Sequence, residues 1–296
     1  MFDKLLTQIL LVIGFISSLL PNRLRIKFGS FLGIILKHIG KERKRIALEN
    51  LRLAFPQKSI NEIQDILNKT YRNLGIVFTE IPALYFFSNE KVKELVKFKN
   101  LDLIYKIKSE AKGIILLSGH FGNWEFLAYA AGLYFEIPIL IVVKPQRNTF
   151  IDRYLNHLRT RGGNRVVSMF NAARDIINTI QSKGAVAMLV DQSASPTKDV
   201  FVDFFGRPAV TYEAPASLAL KFKIPIIYGF SVRQEDGTYL VEINELKYDD
   251  LKADKDGIKE LTKRHVTALE NAIRENPDHW VWLHKRWKYD PEKYIK

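Results

Sequence analysis

The 296-residue chain contains no cysteine. Disulfides, thiolate zinc sites and a cysteine nucleophile are therefore excluded. Any covalent catalysis would have to use Ser, Thr, Lys or a carboxylate. The Gly-x-Ser-x-Gly elbow of the serine hydrolases is also missing. The N-terminal run Leu5 to Leu20 carries no charge, yet at about 16 residues it falls short of the roughly 20 that cross a bilayer core. No repeat, low-complexity tract or linker marks a second globular domain. Acidic residues are the under-represented charge: 32 against 45 Lys and Arg, a formal +13. That balance suits nucleic acid, an anionic membrane surface, or an acidic protein or substrate. With 47% hydrophobic residues the chain can bury one large core.

The position of the charge narrows this choice. The first apolar run is followed by Arg23, Arg25 and Lys27, a second apolar stretch from Phe28 to Leu36, and then Lys41-Glu42-Arg43-Lys44-Arg45. No small-x-small site precedes Pro21, which disfavours a cleaved signal peptide. A buried core helix and a membrane anchor both fit the run. The basic flanks favour an anchor over residues 1–40, spanning or half-inserted, with its cations on anionic headgroups. Their place on the C-terminal side puts the remaining domain, residues 41–296, in the cytoplasm.

Helical spacing marks Ile46 to Leu53 and Ile60 to Leu84, with Ser59 and Glu62 forming a capping box and Pro56 between the two. Beyond Gly113 short apolar runs alternate with helical segments. Strands are expected at Ile114–Leu117, Ile137–Val143, Arg165–Val167, Ala185–Val190 and Ile224–Val232, and a hairpin at Asp236-Gly237 leads into Tyr239–Ile243. This pattern predicts an α/β fold: a mixed, mostly parallel sheet flanked by helices.

The segment Gly119-His120-Phe121-Gly122-Asn123-Trp124-Glu125 carries the chemistry. It follows a buried strand, where ligands of parallel sheets gather. Its glycines allow a sharp turn, and Asn123 can cap the next helix. His120 and Glu125 would diverge by about 140° on one helix. They can meet if His120 lies in the loop and Glu125 in the first helical turn. The carboxylate would then orient the imidazole, leaving its second nitrogen to take a proton from a hydroxyl. A lone histidine is more often a structural bond in a turn; the glycines, the strand end and the acid together favour the functional reading.

This heptapeptide resembles the signature of the lipid A biosynthesis acyltransferases, the late lauroyl and myristoyl transferases of the lysophospholipid acyltransferase superfamily. Other blocks are similar, in order: Asn50-Leu51-Arg52-Leu53-Ala54-Phe55-Pro56; Lys144-Pro145 with Arg159-x-Arg161-Gly162; Asp191-Gln192 with Val202 to Thr211; and Trp280-x-Trp282-x-His284-x-Arg286-Trp287. Together they cover roughly residues 40 to 290. The chain departs from the pattern at Ser193-Ala194-Ser195-Pro196, where a glycine is frequent.

The resemblance implies a glycerolipid acyltransferase-like fold and O-acyl transfer to a membrane glycolipid, a lipid A precursor. The donor would be an acyl thioester on acyl carrier protein, or acyl-CoA, with no cofactor and no metal, at the cytoplasmic face of a bacterial inner membrane. His120 becomes the base and Glu125 its orienting acid. Backbone N–H groups near Gly122 and an arginine would stabilise the oxyanion. Gly122, Asn123, Arg159, Arg161, Asp191 and Gln192 become substrate-binding candidates, the arginines for an anionic acceptor. Trp280 and Trp282 are expected in the core, and Lys285, Arg286 and Lys288 at the membrane interface. The rivals are a lysophospholipid acyltransferase, a lipid hydrolase or thioesterase using water as acceptor, and a non-catalytic membrane or nucleic-acid binder. No nucleic-acid module is present in the sequence, which disfavours the last.

Overall fold

The computed structural model describes residues 2–110 and 112–294. The N-terminal segment forms two helices, α1 (Phe2–Leu19) and α2 (Asn22–Ile39), separated at Pro21, which has no N–H to continue the first helix. Helices α3 (Lys41–Ala54) and α4 (Ile60–Ala83) follow. Both halves of the Ser59–Glu62 capping box are made at the start of α4. Helix α5 (Asn89–Leu95), strand β1 (Val96–Lys99) and helix α6 (Leu101–Ser109) lead into the α/β part. There β2 (Ile114–Ser118), α7 (Trp124–Tyr134), β3 (Ile139–Val143), α8 (Thr149–Arg161), β4 (Arg165–Ser168), α9 (Ala173–Gln181) and β5 (Ala185–Leu189) alternate. A hairpin of β6 (Val200–Phe204) and β7 (Arg207–Thr211) precedes α10 (Ala214–Phe222). Strands β8 (Ile226–Tyr228), β9 (Ser231–Arg233), β10 (Tyr239–Glu242) and β11 (Asn244–Leu246) and the long helix α11 (Lys255–Glu275) complete the fold.

The central sheet runs β11-β8-β2-β5-β3-β4, parallel throughout except for β11. Alternate residues of its strands feed two apolar layers. Ile115, Leu117, Val186 and Met188 pack under α9, α10 and α11, while Ile114, Ile139, Ile141 and Ile227 face α6 and α7. The expected α/β class is therefore found. The run Ile224–Val232 is a correction, because it is two strands. It breaks at Gly229-Phe230, so that β8 joins the central sheet and β9 pairs with β10 in a second sheet of order β1-β10-β9.

Helix α2 lies along α4 at backbone contact. A Cβ on Gly33 would sit 2.1 Å from the Tyr71 carbonyl oxygen, and one on Gly75 would sit 2.2 Å from that of Gly29. Their outer faces are apolar and exposed: Ile9, Val12 and Ile16 on α1, Phe31, Ile34 and Ile35 on α2. Among the described residues no helix is long and apolar enough to cross a membrane.

Candidate active site

Strands β2 and β5 are neighbours in register, Ser118 opposite Leu189. Their carboxyl-end loops therefore lie side by side, and each delivers one side chain. The β2 loop brings His120 and the β5 loop Asp191, 71 residues apart in sequence. Asp191 Oδ1 lies 2.8 Å from His120 Nδ1, and Oδ2 accepts the His120 main-chain N–H at 2.9 Å. The indole N–H of Trp280 donates to the same Oδ2 at 2.9 Å. Asp191 is buried, while His120 is 25% exposed at the mouth of a cavity.

The electrostatics follow from this pairing. Burial pushes the Asp191 carboxyl up, but the His120 charge and the three hydrogen bonds outweigh it and hold the group down at about 2. Burial also pushes the His120 imidazole down; the Asp191 carboxylate overcomes this and raises it above its ordinary value, with Glu125 adding and Arg159 opposing. An imidazole hydrogen-bonded through Nδ1–H keeps Nε2 as the nitrogen that meets a substrate. The Gln192 amide nitrogen lies 3.5 Å from both ring nitrogens, and the Trp124 ring packs edge-on at 5.2 Å.

Glu125 is a correction to the expected geometry. It does sit in the first turn of α7, but its carboxylate is clamped by the Arg159 fork, Nη2 to Oε1 at 2.5 Å and Nε to Oε2 at 2.9 Å. A planar guanidinium matches a carboxylate at two points, an arrangement a single imidazole N–H cannot equal. Glu125 thus reaches His120 through its field, and the carboxylate bonded to the imidazole is Asp191, which sequence reasoning placed with the acceptor.

The remaining candidates divide. Gln192 and Arg159 line the cavity with His120 and Glu125. Arg161 points away from it and donates to the carbonyls of Leu84, Tyr85 and Phe87, closing the end of α4. Asn123 is fully buried; it caps α7 through the Phe126 N–H and donates to Glu80. Gly122 has φ +55°, and its N–H is given to the His279 carbonyl at 2.9 Å, so it is no oxyanion donor. Its Cβ would lie 1.7 Å from the Ser231 carbonyl oxygen. Gly122→Ala should therefore destabilise the fold by more than the about 1–2 kcal/mol of left-handed backbone; a melting temperature equal to the parent's would refute this close approach. Trp280 and Trp282 are in the core as expected. Arg286 is not at an interface: it is buried, bonded to the Val210 carbonyl and Thr211 Oγ1, because its charge finds acceptors and the Phe204 ring inside.

The cavity has a volume of about 960 Å³. It opens at His120 and passes between the central sheet and α7, lined there by Leu116, Ala128, Ala131, Phe135, Ile139 and Ile227. Leu116 and Ala187 stay half-exposed in the middle of central strands, where a closed core would bury them. An apolar channel with a base at its mouth and a few polar groups beside it suits a hydrocarbon chain joined to a reactive ester-type carbonyl.

A family profile described as bacterial lipid A biosynthesis acyltransferase matches residues 2–289. The chain belongs to that family. A lipid A biosynthesis acyltransferase of Haemophilus influenzae is 25% identical over 93% of this chain and 83% of its own length. The lipid A biosynthesis lauroyltransferase and palmitoleoyltransferase of Escherichia coli K12 are 23% and 22% identical, each over 92% of this chain, covering 88% and 87% of their own lengths. This lipid A biosynthesis family member is thus an acyltransferase.

Proposed function

We propose that the enzyme transfers a fatty acyl chain from an acyl thioester, on acyl carrier protein or coenzyme A, to a hydroxyl of an anionic glycolipid, a lipid A precursor. The observation that carries this reading is the His120–Asp191 pair at the mouth of an apolar channel. The donor's acyl chain enters the channel and leaves its carbonyl beside the imidazole. His120 Nε2 takes the proton of the acceptor hydroxyl as its oxygen attacks the carbonyl carbon. The new C–O bond forms, the C–S bond breaks, and the leaving thiolate takes the proton back from the imidazolium. Gln192 and Arg159, two polar donors of the cavity wall, stabilise the developing oxyanion. Arg159 also holds Glu125, whose negative charge supports the imidazolium.

The exposed apolar faces of α1 and α2 lie in the membrane interface, with Arg23 and Lys27 against anionic headgroups. In a bacterium this is the inner membrane, with the catalytic domain on the cytoplasmic side where acyl thioesters are made. The purified enzyme, given acyl carrier protein loaded with a fatty acid and a lipid A precursor in detergent, should yield a lipid heavier by one acyl group in the mass spectrum. Free fatty acid with unchanged acceptor would instead make it a thioesterase.

The channel also makes chain length testable. Ala128→Phe narrows it, and preference among donors of graded length should shift toward shorter chains. Each displaced methylene should cost roughly fourfold in kcat/KM, the equivalent of about 0.8 kcal/mol. An unaltered length profile in competition assays would place the acyl chain elsewhere.

A further inference from the structure

Beneath the His120 loop lies a second cluster of ionic groups that the reaction does not touch. Its centre is Glu80 of α4, fully buried. The carboxylate accepts from Tyr239 Oη at 2.5 Å and from Asn123 Nδ2 at 3.0 Å. It is flanked by two buried guanidinium groups, Arg25 at 3.5 Å and Arg233 at 3.7 Å. Arg233 also donates to Tyr239 and Asn73, and Asn73 in turn to Asp278 at 2.6 Å. Two buried cations thus share one buried carboxylate, with the half-buried Asp278 at the edge of the cluster, so that the charges kept from water are paired.

The members come from distant elements. Arg25 belongs to α2, whose far side exposes Leu24 and Phe31. Asn123 is the cap of α7 and lies three residues after His120. The first turn of that helix carries Trp124, against the His120 ring, and Glu125, in the clamp of Arg159. On the other side the backbone of the loop is tied to the 278–281 segment: Gly122 N–H to the His279 carbonyl at 2.9 Å and Val281 N–H to the His120 carbonyl at 3.0 Å. One route therefore runs from the N-terminal helix through Arg25, Glu80 and Asn123 to the loop that holds the base.

We propose that Arg25 and Glu80 are positioning residues for acyl transfer, through which the seating of helix α2 fixes the angle of α7 and the His120 loop. The N-terminal helices then serve the reaction as well as any lipid contact. The proposal rests on the assignment of His120 as base. Without Arg25, Glu80 leans toward Arg233, and Asn123 loses the fixed acceptor that orients its cap. The reacting groups stay present but are held loosely. The expected loss is in kcat, because substrates bind in the channel on the other side of α7.

The test uses the full-length enzyme with the acyl-carrier-protein donor and lipid A precursor described above. Arg25→Met should lower kcat at least tenfold per folded molecule while KM for both substrates stays within about twofold. Arg25→Lys, which restores the charge, should recover most of the rate. Asn123→Ala should slow the enzyme similarly, and the double variant should be no slower than the worse single one, since coupled residues are non-additive. Tyr239→Phe removes one hydrogen bond from Glu80, and the oxygen that accepts from Arg233, without changing shape. It should lower kcat by a few-fold and keeps the test open if Arg25→Met does not fold. Parent kcat in folded Arg25→Met, multiplying effects in the double variant, or parent kcat in Tyr239→Phe would each overturn the proposal. Retained activity in a His120 variant would instead overturn the underlying mechanism.

Discussion

Replacing His120 by alanine should lower kcat for acyl transfer by about 10²–10⁴-fold, the range contributed by a positioned general base. The channel is untouched, so donor binding should persist. Folding should persist too. His120 is partly exposed, and the buried Asp191 keeps two hydrogen bonds in the variant, from the main-chain N–H of position 120 and from the Trp280 indole. A melting curve and a donor-binding isotherm separate loss of chemistry from loss of structure. Full turnover by the alanine variant would end the assignment of His120 as base.

The second large effect is expected from Asp191→Asn. The shape is conserved, but the amide can offer its N–H₂ to Nδ1 and so favour the wrong tautomer. An equivalent change in a serine protease triad costs about 10⁴ in kcat, and about 10³–10⁴ is expected here. The pH profile gives an independent reading. The base must be neutral to accept a proton, so activity rises with pH through the His120 pKa. Asp191 raises that pKa against the opposing effect of burial. In the variant only burial and the weaker charges remain, and the acid limb should move to lower pH.

Stability should follow the same pair. The depressed Asp191 carboxyl contributes stability that is present above its unfolded value near 3.9 and is lost as pH falls toward about 2. The raised His120 contributes stability present below about 6.5 and lost as pH rises through its folded pKa. Both contributions are fully present together between roughly pH 4 and 6.5. Asp191→Asn should remove that advantage. An acid limb and a stability profile that coincide with the parent's would demote Asp191 to a loop support.

The parts of this molecule readable from its sequence are those fixed by neighbours along the chain. The capping box at Ser59, the break at Pro56, the alternation of strands and helices after Gly113 and the loop at His120 all depend on local patterns. The partner of His120 does not. Glu125 is near in sequence and Asp191 far, yet it is the order of strands in the sheet, with β5 beside β2, that decides which carboxylate meets the imidazole. The Arg159 side chain, 34 residues beyond Glu125, completes the rearrangement by occupying that acid. Arg286 misleads for a related reason. A cation in a basic aromatic stretch reads as surface, and only the folded hairpin of β6 and β7 supplies the acceptors that bring it inside. The strand break at Gly229-Phe230 likewise depends on which sheet each half can join.

Two of the four tryptophans touch the reacting region: Trp280 through its indole N–H on Asp191, and Trp124 by its ring on His120. The site is thus furnished with native chromophores. Protonation of the pair, or arrival of a thioester at the channel mouth, changes the field and the quenching around two indoles, so ultraviolet emission can follow occupancy in real time without a label.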